Sequence, residues 1–418
     1  MQEIAMLTDL FPKSHELHRS LPLLGPVLDD FDDWLVGRGY RHSTRECYLL
    51  RCTAIEAYFQ RRKQCSISTL TSEKWHKCWR FYRRRPGGIS TTVSCLQRFL
   101  QSRQLLPREC VPLTPFGLVL DAYRTHLTDV RGLAASTIAQ QCSTVSEFLH
   151  HALEQDRAFG LATLNQGHVE AFIKSLHGRF NRPSLQHVIA HVRGFIRFLG
   201  VQGELPAGLE LRIDTPRVYR LAQLPHSLSW DTVRAFLDSI DRTQPSGLRD
   251  YAMFMLMATY GLRGCDVAGL TLDDISWRVA EIRSYQSKTR HPLQLPLTDS
   301  VADALLAYLR NGRPQSSHRE IFLTVHAPIV PVKRQSAGYA FRFRVDRSGL
   351  DIPFRGVHCL RHSYAVHLLR QGVSLKSIGD LLGHHSTEST CVYLRLDLDD
   401  LRDVALPLPR VAGREVQS

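Results

Sequence analysis

Two stretches of this chain echo one another, and that echo constrains its fold more than any single motif. VLDDFDDWLVGRGYRHST (Val27–Thr44) lies over VLDAYRTHLTDVRGLAAST (Val119–Thr137) with one inserted residue. SISTLTSEKW (Ser66–Trp75) keeps the phase of GLATLNQGHV (Gly160–Val169), and LQRFLQSRQLLP (Leu96–Pro107) that of FIRFLGVQGELP (Phe195–Pro206). The offset stays between 92 and 99 residues throughout. A nearly constant offset over three separate matches reads as a tandem duplication of one small helical unit. The alternative is that small helical bundles share amphipathic patterns without common origin. Each copy has an amphipathic first helix, a Ser-Thr entry to a second, and a closing helix with aromatic and Leu positions at helical spacing.

The two units occupy residues 21–110 and 111–212, after an N-terminal tail of residues 1–20. A Pro-, Arg- and Leu-rich stretch follows (Pro206–Pro225, with residues 213–226 as linker), and a third region opens at SLSWDTVRAFLDSI, where Ser227 or Ser229 caps a helix. RDYAMFMLMATYGL is an apolar helix closed by Gly261. ISWRVAEIRSYQSKTRHPLQLPL (Ile275–Leu297) alternates like two or three antiparallel strands broken at Ser287–Arg290, and helical patterning returns from Val357 to Val404. The expected fold is mostly α, with two tandem helical domains and an α+β domain holding one small antiparallel sheet. That last domain spans residues 227–405, and residues 406–418 form a C-terminal tail.

Charge narrows the partner class. The 418 residues carry 53 Lys and Arg against 40 Asp and Glu, a net +13, with Arg dominating the excess. The planar guanidinium fork pairs with phosphate oxygens, which makes nucleic acid the leading partner. The ten cysteines include no CxxC pair, so neither a zinc knuckle nor a disulfide scaffold is suggested. The N-terminus lacks a basic-then-apolar signal pattern, and the longest apolar run, Tyr251–Leu262, is too short to span a bilayer. A cytoplasmic protein without a membrane partner is expected.

Six residues of the third region stand out by type and setting. Arg263 follows a helix-ending glycine in YGLRGCDVAGL, Lys288 sits at the tip of the SKTR turn, and HCLRH sets His358 and Arg361 three apart on one helix face. LLGHHSTESTCVYLR adds His384 and, nine residues on, Tyr393. Taken singly, Arg263 and Lys288 read as solvated surface charges and Tyr393 as a packed aromatic. Arg361 differs, because a charge in the apolar helix LRHSYAVHLL needs either a buried salt bridge or an anion. The chain has no HExxH, acidic metal cluster or Walker loop, so no metal or cofactor is expected. Cationic and neutral donors without metal suit a five-coordinate, phosphorane-like transition state, with two guanidiniums on the non-bridging oxygens. A phenol with a pKa of about 10 then needs positive charge or a base to attack. The leaving alkoxide needs a proton, which a turn-tip lysine can deliver.

These motifs, TYGLR with Asp266 three residues on, Lys288-Thr289, HCLRH, LLGHHS and Tyr393, resemble the catalytic domain of tyrosine recombinases, the phage integrase and Xer-like family. The resemblance covers about Ser227–Asp400. It implies Arg263 and Arg361 as phosphate clamps, Lys288 as general acid for the 5′ oxygen, and His358 as a proton-transfer or hydrogen-bonding partner. His384 becomes a further phosphate donor and Tyr393 the nucleophile of a 3′-phosphotyrosyl bond. The family often has Glu where Asp266 stands. His362 is read as supporting helix packing, and His385 is left unassigned.

The resemblance further implies metal- and ATP-independent recombination of specific sites in double-stranded DNA by a bacterial, nucleoid-associated dimer or tetramer. Sister recombinases or accessory DNA-bending proteins are possible partners. The unit at 111–212 is similar to the family's helical core-binding domain. The extra copy at 21–110 departs from the common Xer-like plan and points to a mobile-element enzyme acting in integration, excision or transposition. The tail after Tyr393 is expected to dock on a neighbouring subunit through Leu396, Leu398, Leu401 and Val404, or else to pack on its own domain. A catalytically silent accessory recombinase and a type IB topoisomerase-like enzyme are the competing readings.

Overall fold

The computed structural model describes residues 7–64, 66–106, 116–206, 208–218, 224–286, 292–384 and 386–396. Lys288, His385, Leu398, Leu401, Val404 and the side chain of Leu396 lie outside the described residues. The chain falls into two compact units, one joining residues 1–105 to 224–418 and the other spanning 106–223.

Two short helices, Leu7–Leu10 and His15–Arg19, come first. Four longer ones follow: α1 (Gly25–Val36), α2 (His42–Gln60), α3 (Ser72–Arg83) and α4 (Ile89–Ser102). The start of α1 is held from α2, because the Glu56 carboxylate accepts from the Leu23 and Leu24 N–H groups at 3.0 and 2.9 Å. A carboxylate there satisfies orphan helix donors and opposes the helix dipole. The same two helices share a buried ion pair, with Arg45 Nε donating to Asp32 Oδ1 at 2.7 Å. Thr71 caps α3, and the Tyr82 hydroxyl donates to the Ala54 carbonyl at 2.7 Å, tying α3 across the second half of α2.

The second helical unit runs α5 (Gly117–Asp129), α6 (Ala135–Gln155), α7 (Gln166–Ser175) and α8 (Arg182–Val201). A 3-10 turn precedes α7 at Leu161–Thr163, as one precedes α3 at Ile67–Thr69. Asn165 and Asn181 cap α7 and α8 by accepting from the His168 and Ser184 N–H groups. The core is aromatic: Tyr123, Phe148, Phe172 and Phe195 are buried at its centre. Past α8 the chain stays on this unit through the turn Leu209–Arg212 and buried Ile213. There Arg193 Nη2 donates to the Ile213 carbonyl at 2.6 Å.

The third region begins with α9 (Trp230–Asp238), whose cap is Ser229 rather than Ser227, its hydroxyl accepting from Thr232 N–H at 3.1 Å. Then come α10 (Pro245–Tyr260), ended by Gly261 at φ +63°, and the short α11 (Gly264–Ala268). Strands β1 (Ile275–Ser276), β2 (Glu281–Tyr285) and β3 (Pro292–Pro296) pair antiparallel in the order β1-β2-β3. In the register Ile282 faces Leu295, and both are buried, so one face of the sheet joins the core. Helices α12 (Asp299–Asn311), α13 (Ser336–Ser348), α14 (His358–Arg370), α15 (Leu375–Leu382) and α16 (Glu388–Cys391) complete the region, and a 3-10 turn (Val392–Leu396) ends it. Among the described residues no helix is long and apolar enough to cross a membrane. The outcome is the expected mostly helical fold with one small antiparallel sheet.

The first helical unit touches this region where Ile329 N–H donates to the Arg38 carbonyl at 3.0 Å. Gly39, at φ +75°, lets the chains approach: a Cβ there would lie 2.7 Å from Ile329 Cγ1.

Candidate active site

Helix α14 carries the centre of the site. Its first turn presents His358, Arg361 and His362, while Cys359, Leu360, Ala365 and Val366 are buried. Arg361 is 4 % exposed, and its Nη1 and Nη2 donate to the carbonyls of Gly261 (2.6 Å) and Leu382 (2.8 Å). The fork thus ties the end of α10 to the end of α15. Neutral carbonyls satisfy its donors but leave its charge uncompensated. Arg344 shows the contrast, since its Nε donates to the buried Asp250 carboxylate at 2.8 Å. Of the two readings open for Arg361, the buried salt bridge does not form with any carboxylate among the described residues. Burial, reinforced by the Arg263 guanidinium, brings Arg361 down to about 10, so it stays cationic at neutral pH.

Arg263 stands in the turn between α10 and α11. Its Nη1 donates to Gln286 Oε1 at 3.0 Å and lies 3.9 Å from Asp266 Oδ2. Gln286, buried at the end of β2, in turn donates from Nε2 to the Leu382 carbonyl at 3.1 Å. Leu382 O therefore receives both Arg361 and Gln286, and one backbone oxygen fixes the two guanidiniums' supports together. Gly383 makes this possible: at φ +63° it takes the left-handed turn, and a Cβ would fall 2.3 Å from Gln286 Oε1.

Tyr393 is 1 % exposed and packs in a small apolar cluster with Ala365, Val366, Ile378 and Leu382. Its hydroxyl lies 3.1 Å from His362 Nδ1. Burial raises its pKa, and the Arg361 and Arg263 charges oppose that rise. His362 is pushed down to about 4 by burial and then by His358, Arg361 and His226, so at neutral pH it is uncharged and Nδ1 can accept. His384 is likewise lowered to about 4, by burial first and then Arg361 and Arg263. Its Nδ1 meets Thr390 Oγ1 at 2.9 Å, and its ring lies nearly parallel to that of Tyr393 with centroids 6.5 Å apart. The exposed ring of His358 sits one turn before His362, at 6.2 Å.

Four of the six expected residues, Arg263, Arg361, His384 and Tyr393, share one electrostatic neighbourhood, and His358 borders it through His362. Lys288 lies outside the described residues. Gln286 and Thr390 carry no local signal in the sequence, because their roles lie in contacts that only folding makes. His362, expected to support helix packing, instead reaches the tyrosine hydroxyl. The signal was present: His362 follows His358 by four, and so shares its helix face. Among the described residues no group of three or more His, Cys, Asp or Glu gathers as a metal site requires.

A buried phenol beside a neutral imidazole and two arginines, with Asp266 the one nearby carboxylate among the described residues, is a site short of negative charge. Such a site suits an anion and an oxygen nucleophile, the requirements of phosphoryl transfer. Residues 226–399 match the phage integrase family and residues 120–203 the phage integrase N-terminal SAM-like domain. The chain is 33% identical over 398 residues to the integrase/recombinase y4rA of Sinorhizobium fredii, covering 93% of this chain and 96% of that one. To the tyrosine recombinase XerD of Mycobacterium tuberculosis it is 31% identical over 311 residues, covering 69% and 96%. A lambda integrase dimer bound to a COC′ core site shares the fold with a TM-score of 0.51 at 17% identity, over 77% of this chain and 89% of that one. The chain belongs to the phage integrase family of tyrosine recombinases, whose characteristic activity is DNA cleavage and rejoining.

Proposed function

We propose that this recombinase cleaves specific sites in duplex DNA through a 3′-phosphotyrosyl intermediate and exchanges strands for a mobile element. The observation that carries the reading is the Tyr393 hydroxyl at 3.1 Å from neutral His362, beside two arginines whose charge is mostly uncompensated. Arg263 and Arg361 hold the non-bridging oxygens of the scissile phosphate, with His384 as a third donor through Nε2 while Thr390 occupies Nδ1. The Tyr393 oxygen attacks phosphorus, its proton passes to His362 Nδ1, and the bond from phosphorus to the 5′ oxygen breaks. Lys288 protonates that leaving oxygen. His358 stands behind His362 in this relay.

One diester bond is replaced by another at each step, so a partner strand's 5′-hydroxyl can reverse the attack without ATP or metal. The SAM-like match and the helical fold support residues 111–212 as a unit that binds DNA alongside the catalytic domain's action. The shared order of helices and 3-10 turn supports residues 21–110 as a second copy of it. DNA-bound dimers and tetramers among the fold's neighbours support assembly on DNA. The y4rA likeness over nearly the whole chain supports a mobile-element enzyme more than a chromosome-dimer resolvase. Work in the cytoplasm, at the nucleoid, follows from that substrate.

The test uses a nicked duplex carrying the terminal sequence of the encoding element, with EDTA present. A covalent adduct at a 3′ end, lost in Tyr393→Phe, is expected. Metal-dependent cleavage or no adduct would refute the proposal. Transfer of the adduct strand to a second duplex separates recombination from topoisomerase-like relaxation and from a silent accessory role.

A further inference from the structure

The first helical unit carries a dense cationic face that the reaction above does not use. From Tyr58 to Arg85 the chain holds nine Lys and Arg (61, 62, 63, 74, 77, 80, 83, 84 and 85) against the single acid Glu73. The matching stretch of the second unit, His150–Arg179, holds three of each sign. Local helical packing cannot require this difference, since both stretches form the same end of a long helix, 3-10 turn and short helix.

The fold gathers these charges on one side. Trp75, Cys78 and Tyr82 point α3 into the core, which turns Lys77, Arg80 and Arg84 outward at spacings of three and four. The Tyr82–Ala54 bond and the Tyr58–Phe81 ring contact (5.0 Å) bring the ends of α2 and α3 together. Arg61, Arg62 and Lys63 therefore adjoin Arg83, Arg84 and Arg85, and all six are exposed. Three of the guanidiniums lie on aromatic faces: Arg83 over Trp79 at 4.9 Å, Arg62 over Tyr58 at 3.7 Å and Arg85 over Phe81 at 3.6 Å, the last two also donating to a backbone carbonyl one turn back. Stacking fixes the plane of each fork in advance, so less side-chain entropy is lost when the fork meets a phosphate.

Among the described residues no carboxylate pairs with any of these six, while Lys77 pairs with Glu73 at 2.7 Å. Like charges packed this closely repel one another. Nor does the catalytic region cover the face at the Gly39 junction. That junction lies before α2, and the cluster lies past the other end of this 19-residue helix, about 28 Å away.

We infer that this face of the first helical unit is a duplex-binding surface of its own, which grips the phosphate backbone through its arginine forks. It rests on the recombinase reading for the identity of its partner. Duplex DNA fits because it presents a charge about every 1.7 Å, and arginine forks bind phosphate in pairs. No base-reading side chain is required, so the contribution is salt-sensitive and sequence-independent.

The probe is a random-sequence 60-base-pair duplex titrated with the full chain by fluorescence anisotropy at several salt concentrations. Replacing Arg80, Arg83, Arg84 and Arg85 by Ser should flatten the log K against log salt slope by up to about 3.6, or 0.9 for each phosphate no longer neutralised. The Arg→Lys version of the same four keeps the slope. Both variants form the Tyr393 adduct at low salt, so loss of binding here is distinguishable from failure of the catalytic reading. An unchanged slope in the Ser variant refutes the inference and leaves the face as a solubility device or a dock for an acidic protein. Loss in both variants also counts against it, because retained charge should suffice. Independently of folding of any variant, duplex DNA should protect these four arginines of the unmodified chain from phenylglyoxal, and no protection would overturn the assignment.

Discussion

The molecule has two arginine-rich regions, and they use the same side chain in opposite ways. In the catalytic region Arg361 is buried, its fork spent on two backbone carbonyls and its charge left for an anion. On the cationic face of the first helical unit the arginines are exposed, and Arg62 and Arg85 are stacked on rings. Charge in the first setting acts at short range in a low dielectric, where one group is worth several kcal/mol of transition-state stabilisation. In the second setting each charge is screened within about 10 Å at moderate salt, and only the ensemble matters. Position, not residue type, decides whether an arginine does chemistry or adhesion.

Substitutions can break this contrast. The largest effect is expected at the nucleophile and its clamp: Tyr393→Phe abolishes the adduct, and Arg361→Ala lowers single-turnover cleavage at least 10²–10³-fold. Arg361→Lys should not rescue it, because one ammonium cannot replace a planar fork that reaches two carbonyls. If Lys at 361 restores cleavage, charge alone matters and the buried geometry does not.

Next comes His362→Phe, which removes the proton acceptor and should slow adduct formation by about 10²-fold or more. Quench-flow measurement on the nicked duplex, with a melting curve to confirm the fold, checks it. In the unmodified chain His362 and His384 are neutral when folded, with values near 4 against an ordinary 6.5. Between those pH values the unfolded chain holds more protons, so stability rises with pH there and is lost as pH falls toward 4. The cleavage rate should likewise show no inflection from these histidines between pH 6 and 8. An inflection near 6.5 that disappears in His362→Phe would contradict the neutral-acceptor role.

Gly383→Ala probes the support of Arg263 rather than Arg263 itself. The new Cβ displaces Gln286, and misplacing a clamp by about 1 Å can lower rate 10²-fold while leaving DNA affinity little changed. Equal losses in affinity and rate would instead mean that the turn has collapsed. Gly39→Ala should be the mildest. Left-handed strain of about 1–3 kcal/mol, with contact against Ile329, loosens the first helical unit from the catalytic region and lowers its melting temperature without touching the chemistry. If cleavage falls with it, the two regions are coupled more tightly than their arginines suggest.

Much of this was legible in the residues. Periodicity and the recurring 92–99 residue offset carried the helical units, because amphipathic spacing is a local property. Alternation carried the small sheet. Arg361 was conspicuous because a charge in an apolar helix demands an explanation within the helix itself. Gln286 and Thr390 were not legible, since neither has a local oddity; each matters through a partner 96 or 6 residues away. Spacing hinted at His362, yet only packing shows which of two imidazoles on one face meets the phenol.

The sequence by itself determined the chemistry available: two guanidiniums, imidazoles and a phenol in a set order, on a predominantly helical chain. Tertiary structure alone decided how that chemistry is poised. It buried Tyr393 and yet left its hydroxyl against His362, and it gave Arg361 carbonyls in place of a carboxylate. It also drew the ends of α2 and α3 together into one cationic face. The physical reason is common to all three. Burial and distance set the dielectric and the pairing of each charge, and neither is defined until remote segments of the chain meet.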